Sequence, residues 1–89
     1  MNIEQAIQSI IEQEFSPVHF ALINESYKHK GHAGDDGSGQ THFKLMVVSG
    51  AFDGLSRVDR QRLVNVALKD LFSSGLHALS VSLKAPSEI

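Results

Sequence analysis

The stretch from Thr41 to Val81, THFKLMVVSGAFDGLSRVDRQRLVNVALKDLFSSGLHALSV, constrains the fold more than any other part of the chain. From Thr41 to Ser49, Phe43, Leu45 and Val47 alternate with His42, Lys44 and Met46, the period-two pattern of a strand. A turn around Gly50 to Leu55 follows. Ser56 then stands as a helix N-cap, with Asp59 three residues on in the capping-box position. Val64, Ala67, Leu68 and Leu71 repeat at helical spacing, Leu63 and Phe72 widen that stripe, and Gly75 is suited to a left-handed stop. Leu76 to Leu83 reads as another strand, closed by Ala85-Pro86. Strand, helix and strand in this order predict a right-handed crossover that returns the last strand parallel to the first.

The residues upstream complete one domain spanning 1–89. Ile3, Ile7, Ile10, Ile11 and Phe15 form a helical stripe, Asn2 is placed to cap it with Gln5 three residues on, and Ser16-Pro17 ends it. Val18 to Ser26 reads as a strand with Val18, Phe20 and Leu22 on one face and His19, Ala21 and Ile23 on the other. It forms an antiparallel hairpin with the Thr41–Ser49 strand. The connection, Tyr27 to Gln40, is polar and glycine-rich, and a flexible loop with a mobile tip at Gly34 to Gly39 is expected. The predicted class is α+β, in the order α-β-β-α-β, with a short helical turn near Ala51 and a three-stranded mixed sheet carrying its helices on one face. In this topology the hairpin loop returns where the second strand begins. A parallel third strand begins at the same end, so His77 and the histidines of the loop are predicted to meet at one rim of the sheet.

Composition narrows the chemistry. The 89 residues hold no cysteine, which excludes disulfides, thiol nucleophiles and thiolate metal sites made by this chain alone. A net charge of −2 gives the whole molecule no pull on nucleic acid, so any such binding needs a local basic patch. The opening segment, MNIEQAIQSIIEQEF, carries acids and no Lys or Arg, unlike a secretory signal or transit peptide, and no apolar run approaches a membrane span. A cytoplasmic protein without a membrane partner is expected. No phosphate loop or supportable Ser-His-Asp arrangement is present, so the chain does not read as an enzyme.

Histidines and arginines are the candidates for function. His77 opens the last strand, where alternation places it on the face of Leu79, Val81 and Leu83; read by itself, such a histidine is more often half-buried and structural. His29 and His32 form an H-x-x-H in the loop, by itself a weak metal signal, since two solvated histidines look the same. His42 reads as structural or as support for a ligand, and His19 as structural, away from the loop. Arg57, Arg60 and Arg62 crowd the start of the helix, against its dipole, where each exposed cation costs about 0.3–1 kcal/mol. That placement suggests an anionic partner, although a solvated face with local ion pairs is the commoner reading. Glu25 and Asp35-Asp36 read as ordinary exposed acids.

Thr41-His42-Phe43, Val47-Val48-Ser49, Phe52-Asp53-Gly54-Leu55-Ser56, Arg57 with Arg60 to Val64, and His77-Ala78-Leu79 occur in an order that resembles the BolA family, and Asn24-Glu25-Ser26 also fits. The resemblance covers nearly the whole chain. It implies an α-β-β-α-α-β fold similar to a type II KH domain, and an adaptor that binds a monothiol glutaredoxin and shares a [2Fe–2S] cluster with it, in iron–sulfur trafficking or iron and redox regulation. In that reading His77 is a cluster ligand. The family places a second ligand, His or Cys, in the loop; counted from Asn24-Glu25-Ser26, His29 matches, and His32 is a possible substitute. A glutaredoxin cysteine and a glutathione thiol would complete the set, with no cofactor and a monomer or weak homodimer when the protein is alone. The alternative that the resemblance carries is a DNA-binding regulator of stress response or cell morphology using the Arg57–Val64 region. The paired glycines of an RNA-clamping KH loop are missing, because Arg57 stands three residues after Gly54. A zinc-binding or purely structural interaction domain is a third reading.

Overall fold

The computed structural model describes residues 2–29 and 41–89, with residues 28 and 29 described in backbone only. Helix α1 runs Ile3–Phe15, strand β1 His19–Asn24, β2 His42–Val48, helix α2 Arg57–Ala67, α3 Lys69–Ser73 and strand β3 Ala78–Lys84. Short 3-10 turns lie at Ser26–His29, Gly50–Phe52 and Pro86–Glu88. The sheet order is β1-β2-β3, with β1 antiparallel and β3 parallel to β2. The mixed sheet and the parallel return of β3 beside β2 are those predicted from the sequence.

The caps follow the sequence. Asn2 accepts a hydrogen bond from the Gln5 N–H, and the Ser56 hydroxyl accepts one from the Asp59 N–H. Each satisfies a donor that the first helical turn leaves without an intrahelical partner. α1 stops at Ser16, which takes a left-handed conformation at φ 43° ahead of Pro17. Gly75, at φ 127°, turns the chain out of α3.

The core lies between the helices and one face of the sheet. Ile3, Ile7, Ile11 and Phe15 of α1 meet Phe43, Leu45 and Val47 of β2, and Val64, Leu68, Leu71 and Leu76 close the other side. Phe52, in the Gly50–Phe52 turn, is fully buried, with its ring centroid 5.2 Å from that of Phe15. The opposite sheet face carries His19, Ala21, Ile23, Lys44, Met46 and Ser80, all exposed.

Three predicted details change. The single helix read from the residues between Ser56 and Gly75 breaks at Leu68, whose φ and ψ of −100° and 10° leave the helical region, so α2 and α3 are separate, in the α-α order that the family resemblance implies. No proline or glycine marks the break; it accompanies the burial of both Leu68 and Leu71 in one cluster. Leu63 and Phe72 do not widen the buried stripe but remain 42% and 39% exposed, because α2 buries the face of Arg60 and Val64 and α3 the face of Leu71. β1 and β2 are shorter than predicted at both ends, and β3 begins at Ala78, not Leu76, and ends at Lys84, one residue beyond Leu83.

Candidate metal and partner site

Strand register builds a rim from the end of β1 and the starts of β2 and β3. Asn24 lies opposite Phe43, and His42 opposite Ala78. The turn Ser26–His29 leaves β1 at this rim. Ser26 binds the turn to β2: its buried hydroxyl accepts from the Thr41 and His42 N–H groups at 2.9 and 3.0 Å and donates to the His42 carbonyl at 3.4 Å. The Asn24 side chain accepts from the Ser26 N–H at 2.9 Å, the local bond of an Asx turn. These bonds fix the direction in which the chain leaves β1 and re-enters β2.

His77 sits at the same rim. Its N–H and that of Ala78 both donate to the Thr41 carbonyl, at 2.8 and 3.0 Å. Two successive donors on one acceptor mean that the strand alternation does not extend back to His77. The alternation that would place its side chain with Leu79, Val81 and Leu83 therefore does not govern it. The exposed His77 ring lies against the ring of His42, with centroids 5.3 Å apart and planes at 48°. His42 is only 6% exposed, and its Nδ1 is 2.7 Å from the Thr41 hydroxyl. A backbone-anchored imidazole thus stands in solvent on a buried one. An imidazole in this position can ligate a metal, and the buried ring beside it limits the directions it can face.

The other predicted histidines divide. His29 ends the turn that leaves the rim, a turn that contacts β2, and its side chain lies outside what is described. His32, the Gly34–Gly39 tip and Asp35-Asp36 also lie outside the described residues. His19 pairs with Val48 at the far end of the hairpin, away from the rim as predicted. Among the described residues, no three His, Cys, Asp or Glu side chains gather into a metal set.

The arginines do not form one basic patch. Arg60 is 6% exposed. Its Nε donates to the Leu55 carbonyl at 3.0 Å and its Nη1 to the Leu83 carbonyl at 3.1 Å, while Nη1 and Nη2 grip the Glu88 carboxylate. Glu88 Oε1 also accepts from the Ala85 N–H at 2.7 Å. Hydrogen bonding to Arg60, then to the Ala85 backbone, holds the Glu88 carboxyl down to about 2, and the same pair raises the Arg60 guanidinium above its usual value. Arg60 ties α2 to β3 and to the Pro86–Glu88 turn, and is withdrawn from the predicted partner surface because its donors are engaged internally. Arg57 and Arg62 are exposed, and Arg62 faces Asp59 at 3.5 Å.

Sequence reading missed the network of Ser26, Thr41 and His42. The spacing Asn24-x-Ser26 carries an Asx-turn signal, but the partners of Ser26 lie across the loop, and only the β1–β2 register brings them together. It also missed Glu88, whose partner is 28 residues away in sequence.

Comparison with known proteins agrees with this architecture. Residues 11–88 match the model of the family described as "BolA-like protein". The chain is 43% identical over 89 residues to a protein encoded in the cobS 5′ region of a Sinorhizobium species, covering 99% of this chain and 96% of that one. It is 46% identical over 87 residues to SufE-like protein 1 of Arabidopsis thaliana, covering 93% of this chain but only 24% of that longer protein. The solved BolA domain of Arabidopsis SufE1 superposes with a TM-score of 0.88 at 43% identity, covering 97% of this chain and 94% of that one. BolA1 of the same plant gives 0.87 at 39% identity, with 97% and 94% covered. Sequence, topology and superposition agree that the chain belongs to the BolA-like family.

Proposed function

We propose that this protein is a BolA-type adaptor that binds a monothiol glutaredoxin and shares a [2Fe–2S] cluster with it. The observation that carries the reading is His77: an exposed imidazole, pinned through its backbone to Thr41 and backed by His42. Imidazole is a suitable iron ligand, and a fixed backbone lowers the entropic cost of presenting it to a second protein. The cluster is cargo held between two chains. This one supplies His77 and a loop histidine, His29 or His32. Because the chain contains no cysteine, the thiolates of such a cluster come from the glutaredoxin and from glutathione. Histidine in place of thiolate raises the cluster potential and couples it to pH, which suits a transfer or sensing role. The role is one of binding and handover, not catalysis, in a reducing compartment.

The test is an anaerobic visible circular-dichroism titration of cluster-loaded monothiol glutaredoxin in the presence of glutathione. A new spectrum that saturates at one equivalent is expected, together with loss of that spectrum for His77→Ala. An unchanged spectrum with no complex by gel filtration would sink the adaptor reading. A His77→Ala variant that forms a normal heterodimeric cluster would sink the ligand assignment alone. The DNA-binding reading is less well supported, because burial of Arg60 leaves Arg57 and Arg62 as the exposed cations of that stretch.

A further inference from the structure

The β3 edge is open along a stretch that does not include His77. β3 has one hydrogen-bonded neighbour in the sheet, β2. The Ala78 N–H and the Lys84 carbonyl point to β2, bonding Thr41 and Ser49, so Ala78, Ser80, Ser82 and Lys84 face inward along the ladder. The peptide groups of Leu79, Val81 and Leu83 therefore point off the sheet. Of these, the Leu83 carbonyl is occupied by Arg60 Nη1. Beside this edge runs an open groove of about 530 Å³, lined among others by Arg57, Gln61, Val81, Leu83, Lys84 and Glu88. Val81 and Leu83 are half-buried, giving the groove an apolar floor, and Arg57 and Lys84 are exposed on its margins. Neither of those two cations has an ion pair among the described residues, whereas Arg60 and Glu88 satisfy each other.

We infer that the groove between α2 and β3 is a strand-addition site for an extended peptide segment of a partner protein, with alternating acidic and apolar side chains. An added strand pairs its backbone with the outward groups of Leu79 and Val81 and the N–H of Leu83. Its residues alternate by the strand period: on the helix side apolar side chains lie on Val81 and Leu83, with an acidic one at the Arg57 margin, and on the open face acidic ones reach Lys84. The Arg60 cap on the Leu83 carbonyl ends the pairing at that point and fixes the register. Charge selects the occupant. A second copy of this chain would bring Arg57 and Lys84 toward another basic edge. A nucleic acid, with a charge on every phosphate, would find only Arg57 and Lys84 on the groove margins, and Lys84 already helps to hold the Glu88 carboxylate in its charged form.

The probe is a short capped peptide of alternating Glu and Val, titrated into the ¹⁵N-labelled full chain without any glutaredoxin or cluster. Amide shifts concentrated at Leu79, Val81 and Leu83 are expected. Arg57→Glu with Lys84→Glu, both at exposed positions, should weaken binding about tenfold, and a Lys-Val peptide should then bind the double variant better than the parent. N-methylation of alternate peptide bonds, which removes the pairing donors, should abolish binding in one of the two phases and not the other. Shifts elsewhere, no shifts, or indifference to N-methylation in either phase would overturn the proposal. It would equally be overturned if duplex DNA displaced the peptide and bound the groove more tightly, or if the β3 amides shifted with protein concentration alone, which would make a second copy the occupant.

Discussion

His42 and His77 touch, yet a single substitution at each should separate structure from function. His42 is buried and bonded to Thr41, whereas His77 is exposed. His42→Ala leaves the Thr41 hydroxyl without that partner and opens a void, so a loss of about 1–3 kcal/mol is expected in urea unfolding. His77→Ala should change stability by less than about 0.5 kcal/mol in the same measurement. Alternation alone put the two rings on opposite faces, because it assumed regular strand geometry back to Leu76; the shared Thr41 carbonyl breaks that pattern. Glu88 gives a second residue-scale prediction. Its carboxyl ordinarily titrates near 4.5 and is held at about 2 by Arg60. The unfolded chain therefore binds a proton more readily than the folded one across that interval. The ion pair contributes fully above pH 4.5, and its contribution is lost as pH falls from there toward 2. Acid melts of Glu88→Gln should show a smaller fall in melting temperature across this window than the parent, although screening of a carboxylate that is 44% exposed keeps the difference modest.

At the scale of elements, the parts that local pattern can dictate were readable. The stripe of α1, the caps at Asn2 and Ser56, the alternation of β2 and the parallel crossover each follow from spacing and connectivity within a short stretch of chain. What was not readable depends on partners remote in sequence. Leu63 and Phe72 have the right residue type and nearly the right spacing for the core, but each stands beside the buried face of its helix and stays exposed. Arg60 looked like its two neighbours, and only the position of Glu88 distinguishes it. Two substitutions measure this difference. Ser56→Ala removes the cap of α2 and should cost about 1 kcal/mol. Leu68→Ala, at a fully buried position, should cost about 2–5 kcal/mol by chemical denaturation.

For the whole molecule, rim and groove lie on the same strand at opposite ends. His77 precedes β3 and Lys84 ends it, and Arg60 fastens the strand to α2 and to the Pro86–Glu88 turn. Among the described residues, no helix is long and apolar enough to cross a membrane. The two proposed surfaces therefore use one rigid element for two kinds of recognition, metal ligation at its start and backbone pairing along its edge.

The parallel pairing of β3 with β2 also governs when the histidine site comes into being. Contacts between these strands close a crossover that includes both α2 and α3, so they belong to the non-local class that forms late and slowly. On the ribosome, β1, β2 and α2 are all synthesised before β3. Until that strand docks, the Thr41 carbonyl lacks both of its donors and His77 has no fixed direction. Under the proposed ligand role, the competence of His77 is a readout of completed folding: a chain stalled before β3 pairs, or one whose β3 has frayed, presents no ordered imidazole at this position.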